Sequence, residues 1–177
     1  MRKLENQELP RLDLQSFRAS PKNPLVIILD DVRSLNNVGS AFRTADAFLL
    51  EKIYLCGITG CPPHREINKT ALGATDSVDW EYADDVALLG QRLVDEGYKL
   101  IIVEQTDSSE MLMDFKVNPE NKYALVFGNE VFGVNENLLP IAHHGLEIPQ
   151  YGTKHSLNIA VSIGIVVWSM MEKMKLL

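Results

Sequence analysis

The 177-residue sequence has few of the features that mark exported or membrane-spanning proteins. It contains only two cysteines, Cys56 and Cys61, and its first residues are polar, without the apolar segment of a secretory signal. We therefore expect a reducing, cytoplasmic environment. The longest stretch without a formal charge, residues 156–171, is shorter than the roughly 18 apolar residues of a membrane helix. A buried helix or a subunit interface is the better interpretation of this stretch.

Signatures of nucleotide cofactors and of metals are also sparse. The sequence has neither G-x-G-x-x-G nor G-x-x-x-x-G-K-[ST], which excludes the Gly-rich phosphate loops of dinucleotide-binding and P-loop proteins. Cys56 and Cys61 with His64 form a weak zinc pattern, because no second cysteine pair accompanies them. We expect no metal site.

Positive charge is not in excess, since 17 Lys and Arg face 24 Asp and Glu and the net charge is −7. Nucleic-acid-binding proteins usually carry a basic footprint, so this balance taken alone argues against such a partner. The charges are unevenly placed, however. Asp and Glu concentrate in residues 76–85, 95–114 and 130–136, whereas Lys and Arg dominate residues 1–22. Later basic residues are Arg33, Arg43, Arg65, Lys69 and Lys154. A local basic patch and a simple solvated arm are both compatible with this pattern.

Apolar runs alternate with helical patterns along most of the chain. Residues 25–29 are continuously apolar, as in a strand buried on both faces, and Asn36 or Asn37 can cap a following helix that ends near Phe48. Further strands are expected at 53–56, 78–82, 99–104, 123–127 and 146–148, and further helices at 65–72, 84–96, 135–141 and 156–173. This alternation predicts an α/β fold, a mostly parallel sheet with helices on both faces. Residues 1–23 are predicted to be an arm with a short docked helix, and residues 24–177 one domain.

Three short polar motifs follow strand-like runs. They are Asn37-Val38-Gly39-Ser40-Ala41-Phe42-Arg43-Thr44, Phe127-Gly128-Asn129-Glu130 and Ser156-Leu157-Asn158. Because ligands collect at the carboxyl ends of strands in open α/β sheets, we expect one composite site. At these motifs, and over about residues 25–168, the chain resembles the SpoU/TrmH family of RNA 2′-O-ribose methyltransferases in the SPOUT superfamily.

The resemblance implies properties that composition and periodicity do not. The fold would be of the SPOUT type with a C-terminal trefoil knot, the cofactor S-adenosylmethionine, the partner RNA and the assembly a homodimer. The uncharged C-terminal helix could supply part of the dimer interface through Ile159, Ile163, Val166, Val167 and Met170. The short arm, in place of an additional RNA-binding domain, favours tRNA over rRNA as the substrate. Two alternatives stay open: a non-catalytic RNA-binding or assembly module, and a methyltransferase that acts on a non-RNA substrate.

The catalytic candidates come from all three motifs. By resemblance, Arg43 contacts an RNA phosphate and assists deprotonation of the ribose 2′-hydroxyl. A guanidinium stays protonated at neutral pH, which favours electrostatic stabilisation of the developing alkoxide over general-base action. Asn37 would shape the site, and Glu130 would orient Arg43 or Asn37, or bind a ribose hydroxyl. Ser156 and Asn158 form the third motif, where Asn158 opens the last helix and could donate to cofactor or substrate.

The cofactor-binding candidates are Thr106, Gly128, Ile148 and Leu157. A glycine directly after a buried strand, such as Gly128, lets a ligand approach the backbone closely. By resemblance, backbone groups of Ile148 and Leu157 hold the adenine and methionine parts of the cofactor. Thr106 is a further candidate because it follows the strand that ends near Glu104.

Overall fold

A seven-stranded parallel sheet forms the centre of the protein in the computed structural model, which describes residues 1–5 and 8–177. The strands are β1 (Asn23–Asp30), β2 (Leu50–Cys56), β3 (Trp80–Ala83), β4 (Tyr98–Val103), β5 (Glu110–Met111), β6 (Lys122–Phe127) and β7 (His144–Glu147). Their order in the sheet is β3-β2-β1-β6-β4-β7-β5, and every pairing is parallel.

Helices cover both faces of the sheet, as the sequence predicts. They are α1 (Leu14–Ala19), α2 (Leu35–Ala47), α3 (Arg65–Ala71), α4 (Ala74–Ser77), α5 (Val86–Asp95) and α6 (Ile159–Lys173), with a 3-10 helix at Glu136–Ile141. In β1, Leu25, Ile27 and Leu29 pack into the core beneath α2 and α6, whereas Val26 and Ile28 pack into the core beneath α5. Both faces of this strand are buried, which explains its unbroken apolar sequence.

Two local predictions were wrong. Ser34, and not Asn36 or Asn37, caps α2, because its side chain accepts a hydrogen bond from the Asn37 backbone N–H at 3.3 Å. The last helix begins at Ile159, later than the predicted start near residue 156, although Asn158 opens it as expected and is its N-cap. The short elements α4 and β5 lie outside every predicted helix and strand.

The arm docks on the domain through its short helix α1. Phe17 of α1 is buried in the main core, and the Arg18 guanidinium donates to the Asp76 carbonyl. The division of the chain at residues 23 and 24 stays a prediction.

The C-terminal helix is apolar on nearly all sides, but only some of its residues face outward. Four of the five side chains predicted for the dimer interface lie in the core of this same chain and therefore cannot form an interface. These are Ile163, Val166, Val167 and Met170. The exposed apolar side chains of α6 are instead Val161, Ile165 and Trp168.

No helix of the described residues is long and apolar enough to cross a membrane.

The strand order places β6 between β1 and β4, and β7 between β4 and β5, so two later strands are inserted between strands that come earlier in the chain. This order is compatible with the deep knot that the resemblance implies, and the knot itself stays a prediction.

Candidate functional site

The carboxyl ends of β4, β6 and β7 surround a cavity of about 340 Å³. Its wall continues along the segment that joins β7 to α6. Six of the predicted site residues line this cavity: Gly128, Glu130, Ile148, Ser156, Leu157 and Asn158. The second and third motifs therefore meet where the sheet topology predicts a ligand site.

Glu130, which lines the cavity, holds the N-terminus of α2 in place. Its carboxylate accepts hydrogen bonds from the backbone N–H groups of Arg33, at 3.0 Å, and Ser34, at 3.1 Å. It also accepts from the side-chain amide of Asn37 at 3.3 Å. Of the two partners predicted for this carboxylate, Asn37 is the one that it contacts.

Asn37 carries the connection onward to the third motif. Its Oδ1 accepts a hydrogen bond from Nδ2 of Asn158 at 3.2 Å, while Oδ1 of Asn158 accepts from the Ala160 backbone N–H at 2.9 Å and caps α6. A continuous chain of polar contacts thus joins the three motifs through Glu130, Asn37 and Asn158. Asn37 is buried but does not line the cavity, so its contacts position its neighbours.

The ionisation of Glu130 depends on these contacts. Burial raises the pKa of the carboxyl group, but the hydrogen bonds from Arg33, Ser34 and Asn37 lower it by more. The pKa consequently lies below its ordinary value of 4.5, and the group is a carboxylate at neutral pH.

The loop that contains Gly128 itself requires a glycine at this position. The sequence had suggested only that a ligand approaches the backbone there. A Cβ at this position would lie 2.2 Å from the carbonyl carbon of Gly133 and 2.3 Å from the backbone nitrogen of Val134. The loop folds back this tightly because Asn129 and Gly133 pair through two backbone hydrogen bonds of 2.9 and 3.0 Å. Gly133 itself has a φ of +73°, which favours glycine.

Arg43 lies apart from the cavity. Its exposed side chain borders a separate hollow of about 450 Å³ together with Ser40, Lys69 and Gly164 of α6. Within residues 1–5 and 8–177 its guanidinium has no hydrogen bond or ion pair. Within one chain, Asn37 of the first motif therefore contacts residues that line the cavity, whereas Arg43 does not lie at the cavity.

Thr106 also fails to reach the cavity. It lies in a turn closed by Ser109, whose hydroxyl donates to the Thr106 carbonyl at 3.0 Å. The neighbouring Gln105 lines the cavity instead, and its side chain donates to the His155 carbonyl at 3.2 Å.

Several polar cavity residues were missed from the sequence: Glu104, Gln105, Glu147, Gln150, His155 and Ser162. The only sequence signal for Glu104 and Gln105 is their place directly after a buried strand. In the part of the chain that the structure describes, no group of three or more His, Cys, Asp or Glu side chains is placed to hold a metal ion.

Known proteins resemble this chain over most of its length. The SpoU rRNA Methylase family matches residues 24–168. The tRNA (guanosine(18)-2′-O)-methyltransferase of Borreliella burgdorferi is 26% identical over 153 residues, which cover 86% of this chain and 68% of that protein. The 23S rRNA (guanosine-2′-O-)-methyltransferase RlmB of Neisseria meningitidis is 27% identical over 144 residues, 81% of this chain and 56% of that protein.

A solved structure shares the fold. The AdoMet-bound rRNA methyltransferase from Sinorhizobium meliloti matches with a TM-score of 0.77 and 25% identity, over 88% of this chain and 59% of that chain. The family match covers all three motifs, of which the second and third meet at the cavity. This chain belongs to the SpoU rRNA methylase family.

Proposed function

We propose that this protein is an S-adenosylmethionine-dependent RNA methyltransferase that modifies a ribose 2′-hydroxyl, with tRNA favoured over rRNA. The observation that carries the proposal is the contact chain Glu130–Asn37–Asn158, which joins three separate family motifs beside one cavity. The relatives compared above are named as guanosine 2′-O-methyltransferases of tRNA and of 23S rRNA. The two free cysteines support a reducing cytoplasm as the site of action.

The cavity suits the cofactor in size and chemistry. Its volume of about 340 Å³ lies within the range of small-molecule pockets. Phe127, Leu146 and Ile148 provide apolar wall for an adenine ring, while Glu104 and Glu130 provide carboxylates for a positively charged ligand. When bound, the cofactor supplies an activated methyl group on its sulfonium.

The protein's own residues have positioning and electrostatic roles in this scheme. Asn158 lines the cavity and is held from both sides, by Asn37 and by the first turn of α6, so its amide has a fixed orientation. Ser156 and Leu157 form the adjoining wall, where backbone groups are available to a ligand. Arg43 stabilises the negative charge that develops on the ribose oxygen as its proton leaves.

A homodimer explains why Arg43 lies outside the cavity of its own chain. Val161, Ile165 and Trp168 expose an apolar face on α6, and Gly164 on the same helix borders the Arg43 hollow. An apolar groove of about 500 Å³ continues this face from Trp168 to Ile148. Ile148 also lines the cofactor cavity. A second copy that covers this face would bury the apolar side chains and place Arg43 at the subunit boundary, next to a cavity.

The preference for tRNA is supported by the names of relatives. The proteins of Borreliella burgdorferi and Thermus thermophilus that match over 86% and 93% of this chain are both named tRNA (guanosine(18)-2′-O)-methyltransferases.

Transfer of labelled methyl from S-adenosylmethionine to separated tRNA and rRNA pools tests the proposal. We expect label in the tRNA pool and loss of label after treatment with RNase. Label in rRNA alone would contradict the preferred substrate. Cofactor binding without label in either pool would favour the non-catalytic module, and RNase-insensitive label would favour a non-RNA substrate.

A further inference from the structure

A second hollow of about 560 Å³ adjoins the cofactor cavity, and Asn129 lines both. Its other lining groups include the aromatic ring of Phe132, the guanidinium-bearing Arg33 and the carboxylate-bearing Glu136. The proposed function assigns no role to this hollow. Its position makes it accessible to an RNA nucleotide whose ribose, or whose neighbour's ribose, lies at the cavity.

Phe132 presents an aromatic ring to solvent from a hydrogen-bonded turn. The residue is 86% exposed, although most aromatic residues of the described chain are buried or half-buried. The turn is held by Asn129, whose Oδ1 accepts from the backbone N–H groups of Val131, at 2.8 Å, and Phe132, at 3.1 Å. These bonds hold the backbone of the turn, so the phenyl ring is presented to solvent from a defined position, where it can stack on an unpaired base.

The polar groups of the hollow offer both donors and acceptors. The Arg33 backbone is anchored by Glu130, yet in residues 1–5 and 8–177 the Arg33 guanidinium has no carboxylate within 4.0 Å. Glu136 is exposed, and its carboxylate also has no ion pair in the same ranges. Asp31, in contrast, already accepts from the Ile58 backbone N–H at 2.9 Å. Among the residues that the structure describes, Arg33 therefore offers a donor and Glu136 an acceptor in the same hollow as Phe132.

This combination matches guanine better than any other base. Guanine presents acceptors at O6 and N7 for a guanidinium, and donors at N1 and N2 for a carboxylate. Adenine and the pyrimidines lack one or the other of these pairs. The carboxylates around the hollow disfavour a phosphate, which leaves the base as the part of a nucleotide that fits.

We propose that this hollow is a base pocket, in which an unpaired guanine of the RNA substrate stacks on Phe132 and is read by Arg33 and Glu136. The proposal rests on the proposed function, because it takes RNA as the ligand. It adds a specificity site that is separate from the methyl-transfer residues.

Binding of short single-stranded RNA tests the pocket directly. Fluorescently labelled heptamers of uridine with a central G, A or U are titrated with the full-length protein and followed by anisotropy. We expect the wild type to prefer the G heptamer. Phe132→Ala should weaken binding of that heptamer by about 5- to 150-fold, the range for loss of one base–aromatic stack, and Phe132→Tyr should restore it. Glu136→Gln should reduce the preference for G over A, and Arg33→Ala should do the same.

Leu88→Ala is the matched control. Leu88 is 72% exposed on α5 and lines neither the cavity nor the hollow, so its removal should leave RNA binding unchanged. In methyl transfer to tRNA, Phe132→Ala should raise KM for RNA and leave KM for S-adenosylmethionine unchanged.

Several outcomes would overturn the proposal. Equal or undetectable binding of the three heptamers by the wild type contradicts a guanine pocket, and unchanged affinity of Phe132→Ala contradicts stacking. A change of oligomeric state in Phe132→Ala, with RNA binding intact, would assign the ring to a protein contact. Absence of methyl transfer by the wild type would refute the proposed function alone, since the heptamer titrations judge the pocket without turnover.

Discussion

Replacement of Gly128 with alanine is expected to disable the cofactor cavity while leaving the sheet folded. The added Cβ would lie 2.2 Å from the backbone of Gly133, whereas ordinary contacts begin near 3.4 Å, so the loop must retreat by about 1 Å. Such over-packing destabilises a protein by about 1–3 kcal/mol. The same retreat would lengthen the hydrogen bonds from Arg33 and Ser34 to Glu130, now 3.0 and 3.1 Å, beyond the bonding range. Misplacement of a site by about 1 Å can lower the rate about 100-fold.

Three measurements separate these effects. Urea unfolding gives the change in the free energy of unfolding, calorimetry gives the Kd for S-adenosylmethionine, and methyl transfer gives kcat. Gly152→Ala is the matched control, because a Cβ there meets no atom within 4 Å. If Gly128→Ala kept the wild-type kcat and cofactor Kd, the argument that this loop positions the site would be refuted.

Three further variants test other parts of the account. Arg43→Ala should lower kcat by about 100-fold or more, as for loss of a group that stabilises the transition state. Its cofactor Kd should stay unchanged because Arg43 does not line the cavity, so a parallel loss of both would contradict the assigned role. Burial raises the pKa of the Asp30 carboxyl group above its ordinary value of 3.8. The folded state therefore binds the carboxyl proton more tightly than the unfolded state does, and the wild type loses stability as the pH rises above that value. Asp30→Asn avoids this loss, and its advantage in Tm over the wild type should grow from pH 4 to pH 7; a constant difference would contradict the pKa argument. Ile165→Asp should shift the sedimentation profile toward monomer while Leu88→Asp should not, and an unchanged profile in both would argue against a dimer through α6.

The core of the fold could be predicted because its strands are buried on both faces. Residues 25–29 contribute alternately to two cores, so their pattern is apolar without interruption and marks β1 unambiguously. The strands at 99–104 and 123–127 gave similarly strong signals. The two-residue strand β5 gave none, because Glu110 and Met111 are extended only through pairing with β7.

The site was predicted in its parts but not in its connections. Asn37 was expected to cap α2, yet its amide is bonded to Glu130 and Asn158, which lie 93 and 121 residues away in the sequence. Ser34 takes over the cap. Local sequence cannot distinguish these arrangements, since a polar residue near a helix start satisfies both descriptions.

The exposed face of α6 could not be predicted from the sequence, for a different reason. The helix is apolar around most of its circumference, so no amphipathic pattern indicates which side faces the core. Packing against the sheet and α2 buries Ile163 and Val167, and leaves Ile165 and Trp168 exposed. The sequence could therefore predict an interface helix, but not the residues that would form the interface.

The position of the transferred methyl group tests the central claim most directly. RNA methylated by the wild-type protein with isotopically labelled S-adenosylmethionine can be digested to nucleosides and analysed by mass spectrometry, in which fragmentation separates the ribose from the base. The account predicts that the label remains with the ribose, as a 2′-O-methylated nucleoside, and that Arg43→Ala produces almost none. Label on the base fragment would contradict it.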